Sequence, residues 1–361
     1  MDFEVERADI RECRLVSEEA PPLSPGQVLL RVDAFALTAN NVTYAVAGNA
    51  LRYWDFFPSS EPEVWGRVPV WGFADVAATA QDDIEEGTRV YGFLPMSTHV
   101  VMTPRRVDPN GFVDMTPHRA GLAGAYNSYS RTNADPAHDP AHEDHRMILW
   151  PLFFTSFLIG DFLDDNSFFG ADEVILSSAS SKTAIGTAFE LDRRREVGVL
   201  GLTSSGNVDF VEGLGVYDRV VPYDEIVALG GTPAAYVDIA GDAAIRAAVH
   251  RAFGDQLEHS MMVGATHWDE PSAEPAELPG PAPSFFFAPD RISKRTKEWG
   301  RTGLGDRVAD AWRRYVEFAD EWLEIRRSAG PEAVEATYRE VVAGRTDPAV
   351  GHVLTLWTEG R

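Results

Sequence analysis

One cysteine, Cys13, stands among the 361 residues. That excludes an internal disulfide and any zinc site built from several cysteines. Lysine is almost missing too, at Lys182, Lys294 and Lys297 alone, so arginine carries most of the positive charge. Lys and Arg total 32 against 56 Asp and Glu, a formal net charge of −24. Such a surface repels nucleic acid and anionic membrane, and neither is expected as a partner. The charge serves solubility, or adaptation to salt, and a GC-rich genome gives the same preference for arginine. Long apolar runs are also lacking. The best candidate, residues 148–163, is broken by Pro151, Gly160 and Asp161 and reads as a buried helix rather than a span. The start, Met-Asp-Phe-Glu-Val-Glu-Arg, has neither the basic nor the apolar region of a secretory signal, and a cytoplasmic protein is expected. What is present is an apolar content of 44% with 11% aromatics, enough for a folded core. The length suggests about two domains.

The first 120 residues carry strand signals. Residues 27–37 alternate after the turn Pro25-Gly26, residues 68–78 and 88–94 flank the turn Glu85-Glu-Gly87, and residues 99–102 follow. Short strands with turns between them predict a sandwich or small barrel. Residues 127–146 are polar and broken by Asp135-Pro136 and Asp139-Pro140, which predicts a functional loop or a domain junction. From Asp172 strands and helices alternate: strands at 196–202, 217–223, 235–241 and 257–266, helices at 208–214 and 243–253. That rhythm predicts a doubly wound parallel sheet. Helices are predicted over 308–327 and 331–342, and the tail 350–357 reads as a strand returning to the first domain. The fold class expected is α/β, with β-rich residues 1–125 and 285–361 forming one domain and residues 126–284 the parallel-sheet domain.

The segment Asp172 to Leu191 is the densest in information. Val174, Ile175 and Leu176 form a buried strand, Ser177 to Ser181 are all small, and Ala184, Ile185, Ala188, Phe189 and Leu191 give the next helix an apolar face. A helix that opens straight after a strand aims free N–H groups at whatever lies above the turn, which suits a pyrophosphate. Ala179, Ser181 and Ala184 keep the spacing of the dinucleotide fingerprint without its glycines. A strand-to-helix turn with no ligand remains the other reading at this point.

The order of a β-rich entry, an α/β unit and a closing strand resembles the medium-chain dehydrogenase/reductase superfamily. Residues 25–41 are similar to its opening strand and the turn bordering the active site, residues 235–241 to the strand that borders the nicotinamide ribose, and Val263-Gly264 to the following strand end. Tyr129-Ser-Arg-Thr132, Leu176-Ser-Ser-Ala-Ser-Ser-Lys182 and Gly264-Ala-Thr-His-Trp268 resemble an uncharacterised bacterial branch of that superfamily, known only as a domain of unknown function. The resemblance implies a Rossmann-type sheet plus a GroES-like catalytic domain, a small-molecule substrate and a homodimer as the assembly to test. Zinc-dependent members place a cysteine near the position of Thr38 and a Gly-His-Glu after the next strand, where this chain has Trp71-Gly-Phe-Ala-Asp75. The resemblance therefore points to zinc-free quinone and enoyl reductases using NADP(H), with no metal expected.

On that resemblance Tyr53 is the candidate proton donor, with Tyr44 as competitor and Asn41 as a candidate polar group. An aromatic wall, or for Asn41 a satisfied turn, is the alternative for each. The cofactor is assigned to Ser178, Ala179, Ser180, Ser181, Lys182 and Thr183 through backbone N–H groups. Thr203, Ser204 and Asn207 end the second strand, where an acidic residue would hold the ribose of NAD, and their hydroxyl and amide groups favour NADP. Tyr223 would pack on the adenine or the 2′-phosphate, or cover the sheet edge. Asp238, Gly241, Gly264, Ala265 and Thr266 stand at carboxyl ends of strands, where ligands bind in such sheets.

His138, His142 and His145 with Asp135, Asp139 and Glu143 match no metal-binding spacing, and Pro140 interrupts the helix that would align them. Phe285, Phe286 and Phe287 line a pocket or fill a core. The expected activity is zinc-independent, NADPH-dependent reduction of an activated C=C or a quinone. A non-catalytic nucleotide sensor or partner-binding protein with the same fold, and a zinc-free carbonyl or alcohol oxidoreductase, are the alternatives.

Overall fold

The computed structural model describes residues 1–17, 19–263 and 278–358. Its contacts divide the chain into two units, Met1–Ile148 with Leu323–Arg361, and Leu149–Trp322. The divisions expected from sequence, at 125/126 and 284/285, lie elsewhere. One shift arises because residues 128–131 join the β-rich sheet, where Ser128–Arg131 pairs with both Arg89–Pro95 and Gly111–Asp114. The other arises because the long helix Ala288–Ala319 belongs to the second unit, and Trp312 and Tyr315 on it pack on Phe153.

The first unit is built on a large sheet. Its central strand Val28–Leu37 alternates buried and half-buried residues at its start, so Val28, Leu30 and Val32 fill one face. That strand pairs antiparallel with Pro69–Thr79, His99–Met102 and Val350–Thr355. The tail strand thus closes the β-rich unit, as its sequence predicts. A smaller sheet joins Asp2–Glu6 to Cys13–Val16 and Trp65–Gly66. Gly92 makes room for the ring of Tyr129, which a Cβ at that position would strike. The expected helix over 308–327 requires correction: it ends at Ala319, and Glu324–Ala329 is a strand parallel to Val350–Thr355. Its charged residues point outward on an edge strand, so the apolar alternation that would reveal it is missing.

The second unit is a six-stranded parallel sheet in the order Arg219–Pro222, Gly198–Thr203, Glu173–Leu176, Ala234–Asp238, Leu257–Met262, Ser284–Phe285. Sequence order therefore reverses between Glu173–Leu176 and Ala234–Asp238. Val174, Ile175 and Leu176 are wholly buried, as a central parallel strand requires, and each such side chain contributes about 1.5–3 kcal/mol. The helix Glu143–Asp165 contains the apolar stretch expected from sequence. It is long and apolar enough to cross a membrane, yet 61% of its most apolar stretch is buried against the protein. Asp161 on it is buried and ion-paired to Arg291 and Arg295 of Ala288–Ala319, which ties the two helices together.

Candidate functional site

The described site residues expected from sequence fall into two sets, one in each unit. In the first unit, Thr38 follows the central strand and caps the helix Ala39–Val46. Asn41 Oδ1 accepts from the Thr38 N–H at 2.7 Å and from its hydroxyl at 3.1 Å, while Nδ2 donates to the carbonyl of Pro69 at 2.9 Å. Asn41 is buried, and its amide is committed to the helix start. One turn on, Asn40 Nδ2 donates to the Tyr44 hydroxyl at 2.7 Å, an i,i+4 contact.

Tyr53 opens a single 3₁₀ turn, Tyr53–Asp55, after Arg52 in the left-handed region. Trp54 anchors that turn, because its ring lies flush on Gly48 and Gly66 where a Cβ would collide with it. Tyr53 then packs tilted beside Tyr44, with ring centroids 4.5 Å apart.

A third phenol completes the cluster. Tyr126 lies 3.2 Å from Tyr53, hydroxyl to hydroxyl, and its ring sits 4.6 Å from Phe93 and 5.5 Å from Phe56. Sequence reasoning missed it, because residues 119–127 have no periodicity that would place a side chain. The holding residue is Arg119, buried and ion-paired to Asp114 at 2.9 Å. Its Nη2 donates to the carbonyl of Tyr126 at 2.7 Å and its Nε to Asn127 Oδ1 at 3.0 Å. Trp71, Tyr53, Tyr126 and Asn40 are half-buried, and Tyr44 is buried beneath them.

Electrostatics keep these phenols protonated. Burial pushes the Tyr53 hydroxyl up to about 12, with the neighbouring Tyr44 adding to the rise and the Tyr126 hydrogen bond opposing it. Burial raises Tyr44 and Tyr126 further still. All three keep their protons at neutral pH and can donate hydrogen bonds.

In the second unit the serine turn stands where sheet order reverses, the place at which open α/β sheets bind ligands. Ala179 is buried against strand Gly198–Thr203, its N–H donating to the carbonyl of Leu202 at 2.9 Å and its carbonyl accepting from the Tyr217 hydroxyl at 2.9 Å. Gly201 permits this approach, since a Cβ there would come within 3.0 Å of Ala179. Ser178 adopts φ 55°, a left-handed conformation unusual for serine, and its N–H donates to the Tyr223 hydroxyl at 2.9 Å. Ser181 caps the helix Lys182–Asp192 by accepting from Ala184 N–H at 3.3 Å. Asn207 Nδ2 reaches Ser180 Oγ at 3.0 Å, so the end of the second strand is stitched to the turn.

Asp238 is wholly buried and faces inward. Its carboxylate accepts from Ser177 Oγ at 3.0 Å, Gly241 N–H at 2.9 Å and Arg246 at 2.7 Å. It holds the loop across the switch point together. Gly264, Ala265 and Thr266 lie outside the described residues, as do His267 and Trp268. Thr203 is buried and Ser204 exposed. The hydroxyl of the next residue, Ser205, donates to Asp224 at 3.3 Å, which brings a carboxylate to this loop.

The turn fits a pyrophosphate on local grounds: small side chains and a helix of eleven residues starting at Lys182. Among the described residues no group of three or more His, Cys, Asp or Glu is placed to hold a metal ion. His138 meets Glu143 at 3.0 Å and His142 meets Asp139 at 2.9 Å, pairs that belong to separate contacts. Of the three phenylalanines, Phe286 is buried and packs on Phe162, whereas Phe287 is exposed.

The model of the family described as "Protein of unknown function (DUF2855)" matches residues 35–347, and the chain belongs to that family. No curated protein matches the sequence. Solved structures with the same fold include CurA from Vibrio vulnificus, with a TM-score of 0.62 at 11% identity, covering 97% of this chain and 94% of that one. CurA in complex with NADPH from the same organism gives 0.59 at 13%, covering 95% and 94%. A putative NADPH:quinone reductase from Mesorhizobium loti gives 0.57 at 13%, covering 93% and 88%. At these identities the likeness establishes the fold alone.

Proposed function

We propose that the protein is a zinc-independent, NADPH-dependent reductase of an activated C=C or a quinone. The observation that carries this reading is the serine turn at the reversal point of the parallel sheet, followed at once by a helix N-terminus. Backbone N–H groups of Ser180, Lys182 and Thr183 would hold the pyrophosphate, with the hydroxyls of Ser180 and Ser204 beside them. Tyr223 covers the turn. Two proteins of the same fold, CurA in complex with NADPH and the putative NADPH:quinone reductase, support the choice of cofactor. When bound, NADPH supplies the hydride, and the protein orients acceptor and donor.

The β-rich unit supplies the acceptor's surroundings. Tyr53 is a protonated phenol, half-buried, on a turn locked by Trp54. It donates a hydrogen bond to the carbonyl oxygen as negative charge builds there, which lowers the barrier. Asn41 supports the start of the helix that carries Tyr44 and takes no part in proton transfer. One observation favours a second reading, a nucleotide sensor without turnover: the Tyr223 hydroxyl already takes the Ser178 N–H, and Cβ atoms line the whole turn. The test is a panel of quinones and enones assayed for NADPH oxidation with and without a metal chelator. Chelator-resistant turnover that falls about a hundredfold in Tyr53→Phe supports the reductase. Binding of NADPH with no turnover on any acceptor supports the sensor.

A further inference from the structure

We infer that Tyr53 and Tyr126 together form a two-phenol oxyanion site, and that the ring floor beneath them selects planar conjugated acceptors, quinones and aryl or cyclic enones, over acyclic ones. The inference rests on the reductase reading and narrows its substrate class.

The geometry carries it in two ways. The two hydroxyls are 3.2 Å apart, so one O–H lies between them and the other is left for a third oxygen. An oxyanion arriving beside the pair draws both O–H groups, because a charged acceptor forms the stronger bond. The surroundings are aromatic and apolar. Tyr44, Phe56, Phe93 and Trp71 all pack on Tyr126 or Tyr53, tilted, edge-on or stacked, with centroids 4.5 to 6.3 Å apart.

The chemistry balances. When bound, a dihydronicotinamide would supply a hydride to the ring carbon of a quinone or the β-carbon of an enone and would itself be oxidised. The carbon–carbon π pair shifts and the carbonyl π pair moves onto oxygen. Tyr53 and Tyr126 both donate to that oxygen. The proton of Tyr53 then passes to it, which leaves a phenolate at Tyr53. Tyr126 donates to that phenolate until solvent restores the proton. A phenolate here is opposed by burial, so a single phenol would be a poor acid and the second one matters. Arg119, which grips the backbone of Tyr126, is a positioning residue in this arrangement.

The test uses the full-length protein without nucleotide and 4-nitrophenolate as a planar oxyanion probe, read by its absorbance. The wild type binds the probe and lowers its apparent pKa. Tyr53→Phe and Tyr126→Phe each weaken binding about tenfold, and the double variant loses less than the product of the two. Far-UV circular dichroism confirms that each variant is folded. Failure of the wild type to bind, or a Tyr126→Phe variant that binds like wild type while Tyr53→Phe does not, overturns the inference and reduces Tyr126 to a wall. In a second arm NADPH turnover of a naphthoquinone is compared with that of an acyclic enone. Preference for the acyclic acceptor also overturns the inference. The two claims fail separately. Probe binding without NADPH binding sinks the reductase reading alone, and quinone turnover with a silent Tyr126→Phe in both arms sinks this one alone.

Discussion

Tyr53 and Tyr126 meet hydroxyl to hydroxyl at 3.2 Å across 73 residues of sequence. Each sits in a single short 3₁₀ turn, Tyr53–Asp55 and Gly124–Asn127. Tyr53 depends on Trp54 seated on two glycines, and Tyr126 on Arg119. The site is therefore as rigid as two local anchors.

Arg119 is the more exposed to test by mutation. Replacing it with leucine leaves the buried Asp114 carboxylate without its guanidinium and frees the turn of Tyr126. The expected loss is about 3–5 kcal/mol of stability. Urea unfolding followed by tryptophan fluorescence reads it, and an unchanged midpoint would show that Asp114 is not held by this pair.

Ser178 stores strain at φ 55°. Glycine in its place removes the Cβ from a left-handed position and should stabilise the protein by about 0.5–1 kcal/mol. The same change lets a phosphate approach the turn more closely. The thermal midpoint should rise and the Kd for NADPH should fall. A lower midpoint would mean that the serine side chain contributes more than its backbone costs.

Asp224 accepts from Ser205 beside the end of the second strand. A carboxylate there opposes a 2′-phosphate. Asp224→Asn should tighten NADPH about twofold to fivefold and leave NADH nearly unchanged. Equal effects on both nucleotides would place the 2′-phosphate elsewhere.

Burial holds His99, His118, His250 and His259 below the usual histidine value. Their folded forms bind fewer protons than the unfolded chain, so their stabilising effect is complete above about pH 6.5 and is lost as pH falls through the lowered values. The urea midpoint should drop between pH 7.5 and 5.5. His250→Gln, which keeps a polar group between Ser260 and the carbonyl of Pro279, should flatten part of that slope.

Much of the fold was legible because periodicity and turn chemistry agree. The helices over 243–253 and 331–342 and the strand over 99–102 start and stop where their residues signal. The edge strand Glu324–Ala329 was not legible, since Glu324, Arg326 and Arg327 on it are exposed and give no apolar alternation. At the site, the small residues of Ser177 to Ser181 revealed the turn. They did not reveal that Asp238 faces inward, because its partners Ser177 and Arg246 come from a neighbouring strand and the next helix. Tyr126 was hidden for a similar reason: its place is set by a buried arginine and by rings distant in sequence.

The central claim is that this chain binds and uses NADPH, and the most direct measurement is an anaerobic titration of the purified protein with NADPH, followed by addition of a quinone. Saturable binding that Ser180→Asp at the turn abolishes, with oxidation of bound NADPH on adding the quinone, is the result predicted. No saturable binding, or binding indifferent to a negative charge at Ser180, would contradict the account.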